Sequence, residues 1–210
     1  LNQRTEDGLL KAVEFFERAV VEDAQYSLAY SGLADAHGLL AHYGVLGPAD
    51  VWAKAASSAA SAVMLDGLSA EAHTSLAHVH ATQDWDWPGA EREFGRALEL
   101  DPDSTEGRWR YGVFLWARGR YQEALVQVRK SLALDPFSLD ANWILGWVLN
   151  SLRQADEAEE VAGRMLAMDP NVWLGYHVRG VARLLKGDEA AGLGDFERTA
   201  DIEGGPAMHS

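Results

Sequence analysis

A chain of 210 residues with 48% hydrophobic and 24% charged residues has the make-up of a folded globular protein rather than a disordered one. A formal charge of −14 argues against nucleic acid as a partner, and the absence of cysteine excludes disulfides, thiolate catalysis and Cys-ligated zinc or iron–sulfur centres. The acidity is lopsided, with six bases against 17 acids in residues 1–104 and 12 against 15 in residues 105–210. No apolar run nears the roughly 20 residues of a membrane helix, and no basic flank leads into an apolar stretch at the N-terminus. Neither a membrane nor an export route is expected, which leaves the cytoplasm as the expected place.

Taken in chain order, residues 1–24 predict one helix carrying Ala12, Phe16 and Ala19, the second half of a unit whose first helix is missing. The chain therefore reads as a piece of a larger regulatory protein. Residues 27–67 predict a helical hairpin with a long turn around Tyr43 to Pro48, because Asp23 and Asp66 are 43 residues apart. Hairpins follow over 70–102, 105–136, 139–170 and 173–204, with a tail over 205–210. The first of these has one residue more than its successors, expected within Asp84-Trp85-Asp86-Trp87-Pro88. The ruler is the run Leu98-Glu99-Leu100-Asp101-Pro102, which recurs as Leu132 to Pro136 and Leu166 to Pro170 at a period of 34. Such self-similarity belongs to stacked hairpins, each unable to bury its apolar face alone. Asp-Pro ends each second helix, Ser104 or Ser138 can cap the next, and Ala34, Ala77, Gly112, Gly146 and Gly180 fall where paired helices must come close.

These residues resemble the tetratricopeptide repeat family, whose unit pairs an aromatic, Leu-Gly and Tyr pattern on one helix with Ala, Phe and Pro on the next. Tyr111-Gly112, Leu115, Ala124 and Pro136 carry it in one unit; Leu145-Gly146, Ala158, Ala162 and Pro170 carry it in another. The last hairpin departs from it, with Arg179 and Arg183 at positions expected to be apolar, so looser packing is expected there. The resemblance implies an all-α, right-handed solenoid of antiparallel helix hairpins whose first helices line a concave face. The segment Asp84 to Phe94 is also similar to bacterial arrays fused to winged-helix regulators, cyclases or serine/threonine kinases.

No catalytic constellation appears: there is no Gly-x-Ser-x-Gly turn, no Gly-rich phosphate loop with lysine and no His-Glu-x-x-His helix. The chain reads as no enzyme, with no cofactor and no metal. The histidines at 37, 73, 78 and 80 read as packed or hydrogen-bonded, and carboxylates such as Glu91, Glu93, Glu159 and Glu160 as solvated surface. Trp85 and Trp87 lie in the lengthened turn, and the tryptophan before Pro88 is expected to fold back on Phe94 and staple the following helix.

The aromatic residues carry the functional signal. Aligning the units sets Thr74, Trp109, Trp143 and His177 in one row and His78 and Trp147 in the next, with Arg110, Trp116 and Asn150 alongside and Glu71, Glu106 and Asp140 at the edge. Indoles offer a large apolar face plus one N–H donor, as binding surfaces do, and acidic neighbours favour a basic ligand. The same tryptophans at i, i+4 also make a packed stripe. A Lys/Arg/Asn clamp for chaperone C-termini is not expected, since Thr74, Trp109, Trp143 and His177 occupy its places. The reading is a protein-interaction scaffold binding a peptide or helical segment. Its alternatives are a small-ligand sensor and an oligomerisation module whose terminal helices, through Leu9, Val13, Phe16 and Val20 or Leu193 and Phe196, meet a second copy or absent segments.

Overall fold

In a computed structural model of the chain, residues 6–42 and 48–203 are described. The expected long turn at 43–47 and the tail at 205–210 lie outside them. The described residues form eleven helices and no strand. Two compact units divide the chain, Leu1–Gly107 and Arg108–Ser210.

The first unit holds α1 (Glu6–Glu22), α2 (Ser27–His42), α3 (Pro48–Leu65), α4 (Ala70–Thr82), α5 (Trp87–Leu100) and the start of α6 (Thr105–Ala117). Each of α1 to α5 packs on its neighbour in sequence, and α2 also touches α4. Leu9, Leu40 and Val51 form one buried cluster; Ala34, Ala55, Ala59 and Val79 form another under Trp52 and Leu76. Leu9 is spent on this core, and Phe16 of α1 covers Gly32 of α2, so the face of α1 expected to await a partner is already used. Phe15 and Val21 are the large apolar residues that α1 exposes most.

The second unit holds the rest of α6, then α7 (Tyr121–Leu134), α8 (Leu139–Ser151), α9 (Ala155–Met168), α10 (Trp173–Leu185) and α11 (Glu189–Glu203). Gly112 of α6 faces Val128 of α7, Gly146 of α8 faces Val178 of α10, and a Cβ on Gly180 would lie 3.0 Å from Phe196 Cε1. Small residues thus sit at close crossings, as the spacing implied. Leu115, Val128, Ile144, Leu149, Val161, Met165 and Val178 make the buried core.

Asp23, Asp66, Asp101, Asp135 and Asp169 each end a helix and accept the backbone N–H two residues on, at 2.9 to 3.1 Å. Proline at the next position suits such a turn because its φ is already set and its missing N–H is not needed. Ser69, Ser104 and Ser138 then cap α4, α6 and α8 through their hydroxyl oxygens. Inside the hairpins, Trp85, Gly119, Arg153 and Gly187 occupy the left-handed region, with φ of 54°, 74°, 58° and 83°. They are 34 residues apart, so the additional residue of the α4–α5 hairpin falls before Trp85, at Gln83-Asp84. There the Gln83 and Asp84 N–H groups both reach the Val79 carbonyl, at 2.9 and 3.4 Å.

Trp85 is 70% exposed and edge-on to Trp87 at 6.0 Å, and Asp86 caps α5 by accepting from Gly89 N–H. Two expectations are corrected. Glu93 and Glu159 are not solvated surface. Glu93 pairs with the buried His73 at 2.5 Å, and Glu159 accepts from Arg183 at 2.8 Å and Lys186 at 3.0 Å. Finally, Arg179 and Arg183 do not loosen the last hairpin. Both donate to the carboxylate of Asp195 on α11, which is 4% exposed, at 2.6 to 3.0 Å. Ion pairing there replaces apolar contact.

Candidate functional site

In the second unit, the helical period puts Trp143, Trp147 and Asn150 on one stripe of α8. Trp147 is the hub. Its ring meets Trp116 of α6 edge-on at 5.0 Å, Trp143 edge-on at 6.3 Å and His177 of α10 face to face at 5.1 Å with planes 14° apart. His177 continues to Phe196 of α11 at 5.4 Å. Offset and edge-to-face pairs are the arrangements a ring quadrupole favours, so the cluster is a built unit. Its five members are half-buried, neither core nor fully open.

Hydrogen bonding sorts these residues further. Trp116 Nε1–H donates to Ser151 Oγ at 2.9 Å, and the Ser151 hydroxyl donates to the Trp147 carbonyl at 2.9 Å. Asn150 Nδ2 donates to the Val178 carbonyl at 3.0 Å, which ties α8 to α10. On α6, Arg110 lies over the Trp109 ring at 5.6 Å, within cation–π range, as a second group. Thus Trp116, Trp143, Trp147 and His177 are brought together, Asn150 joins α8 to α10, and Trp109 with Arg110 forms a pair.

Thr74 and His78 belong to the first unit. Thr74 is buried and its hydroxyl donates to the Ala70 carbonyl at 2.8 Å, while His78 faces Gly38 of α2. Thr74 lines a groove of 380 Å³ bordered by Asp35, Glu71, Asp101, Asp103 and Glu106. Glu71 and Glu106 are legible from the repeat register. Asp35 is not, because its place depends on how α2 lies against α4, where Ser75 donates to it at 3.1 Å. Ser151 was likewise missed, since only its contact with Trp116 marks it. Of the other histidines, His37 is buried, and burial together with Lys54 lowers its pKa from the usual 6.5. His80 pairs with Asp84 at 2.9 Å. Among the described residues, no cluster of three or more His, Asp or Glu could hold a metal ion, and no helix is long and apolar enough to cross a membrane.

The hairpins, the small residues at their crossings and the Asp-Pro turns give the fold that tetratricopeptide-repeat arrays share. Residues 86–138 match the family model of the tetratricopeptide repeat, and solved structures of such proteins share the fold. YrrB, described as a TPR protein with an unusual peptide-binding site, is 19% identical over 94% of this chain and 96% of its own, with a TM-score of 0.58. PilF of Pseudomonas aeruginosa is 21% identical over 82% of this chain and 78% of its own, at 0.64. The APC/C hetero-tetramer Cut9–Hcn1 reaches 0.74 at 17% identity, covering 96% of this chain and 38% of that one. At these identities the likeness is one of fold. No curated protein matches the chain.

Proposed function

We propose that this chain is a non-catalytic scaffold for protein–protein interaction, holding an extended or helical peptide segment on the face of the second unit built from α6, α8 and α10. The observation that carries the reading is the half-exposed cluster of Trp116, Trp143, Trp147 and His177. Four rings on three helices offer the rigid, amphipathic contact area from which interface hot spots are made. The peptide-binding site ascribed to YrrB supports the same use of the fold. The first unit has a groove of its own bordered by Asp35, Glu71, Asp101, Asp103 and Glu106, which favours basic segments whose binding there would weaken with salt.

The test selects ligands by peptide display on the whole chain and measures the selected peptide by calorimetry. Trp143→Ala and Trp116→Ala are each expected to weaken binding by about 2 kcal/mol or more, with helical content retained. Wild-type affinity in both variants would sink the assignment of this face.

A further inference from the structure

We propose that the turn between α4 and α5 is a second interaction surface, on which the Trp85 indole and the carboxylates of Asp84 and Asp86 hold an arginine side chain of a protein partner. This surface lies in the first unit and stands apart from the aromatic face of the second.

Trp85 is unfavourable in two ways for the chain that carries it. Its φ of 54° is left-handed, and the equivalent turns have Gly119 at 74°, Arg153 at 58° and Gly187 at 83°. Glycine takes this conformation without strain, whereas a residue with a Cβ does not. Of the eight tryptophans Trp85 alone is mostly in water, at 70% exposure, so little burial offsets the strain. Its ring meets the half-buried Trp87 at 6.0 Å with planes 64° apart, a contact that leaves most of the indole open. Backbone strain of this kind gathers at binding sites, and an exposed indole on a strained turn points to a use outside the chain.

Charge selects the occupant. Trp85 stands between two aspartates in sequence, and residues 1–104 carry 17 acids against six bases. Asp84 Oδ2 is taken by His80 at 2.9 Å and Asp86 Oδ1 by the Gly89 N–H at 3.0 Å, which leaves one oxygen of each for a donor from outside. An indole face attracts a cation. A guanidinium adds what an ammonium lacks, a flat face to stack on the ring and a fork of N–H groups along its edge for carboxylates. An anionic lipid surface would meet the same carboxylates and be repelled. An open turn cannot enclose a free small cation, so the arginine belongs to a protein surface that covers the indole.

The experiment titrates the whole chain with the N-acetylated, C-amidated peptide Gly-Ser-Arg-Gly-Arg-Ser-Gly and with versions carrying lysine or citrulline at both arginines. The readout is the Trp85 indole N–H resonance, identified by its absence from Trp85→Gly. The arginine peptide is expected to move this resonance, with the lysine version binding about threefold and the citrulline version about tenfold more weakly. Trp85→Gly should weaken binding of the arginine peptide about tenfold while raising the unfolding midpoint, because glycine relieves the turn. Unchanged affinity in that variant, or a resonance that the arginine peptide leaves still, would overturn the proposal. A lower midpoint would overturn it as well, by showing that the indole serves the fold. Vesicles of phosphatidylglycerol and phosphatidylcholine that shift the resonance where the arginine peptide does not would assign the turn to a membrane instead. Self-association lost in Trp85→Gly would assign it to a second copy and equally end the arginine reading.

Discussion

Gly146 shows how much one hydrogen atom decides. A methyl group there would run into Val178 Cγ1 across the α8–α10 crossing, and Val178 is fully buried with no room to yield. Gly146→Ala is expected to lower stability by about 1–3 kcal/mol in denaturant unfolding, with partial recovery when Val178→Ala is added. Arg153 illustrates the opposite case. Its φ of 58° is a conformation that costs an L-residue roughly 1–2 kcal/mol and glycine little. Arg153→Gly should therefore raise stability by about 1 kcal/mol, read as a higher unfolding midpoint. An unchanged or lower midpoint would show that the arginine side chain offsets the backbone strain. Glycine at 119 and 187 announces this turn in the sequence, whereas Trp85 and Arg153 conceal it, because neither residue type suggests left-handed backbone.

At the scale of elements, α10 and α11 are joined by charge as much as by packing. Asp195 accepts from two arginines at once, and its carboxylate is far more buried than either guanidinium. Asp195→Asn removes the charge and leaves both arginines without it. The expected loss is about 2–4 kcal/mol, between the surface and buried limits, read as faster amide exchange along α11 ahead of α8. The repeat pattern marked Arg179 and Arg183 as misfits but could not name their partner, because Asp195 lies 16 and 12 residues away on another helix. The α4–α5 hairpin makes a related point. Its surplus residue was visible as a spacing of 35, and its location at Gln83-Asp84 emerged only from the hydrogen bonds to Val79.

For the molecule as a whole, acid should act in two windows. His37 has a folded-state pKa below 6.5 because burial disfavours its charge, so the unfolded chain binds the proton first. Its contribution is complete above about pH 6.5 and declines as pH falls below that. Glu159 is held below the usual 4.5 chiefly by hydrogen bonds from Arg183 and then Lys186, and its contribution is lost only as pH drops under about 4.5. Thermal melts from pH 8 to 3 should show two declines, with the first removed in His37→Gln and the second reduced in Glu159→Gln. A flat profile between pH 7 and 5 in the wild type would contradict the burial argument for His37.

By itself the sequence determined the all-helical hairpin array, since a 34-residue period with small residues and Asp-Pro at fixed offsets can be satisfied by local rules that each unit obeys alone. It also nominated the aromatic residues, though without saying which would touch. Tertiary structure alone decided that Trp147 gathers Trp116, Trp143 and His177 around it, that Asn150 turns inward to α10, and that Asp195 answers two arginines. Contacts of this kind depend on how side chains from separate helices interleave, and helical periodicity carries no information about the neighbour's rotamers.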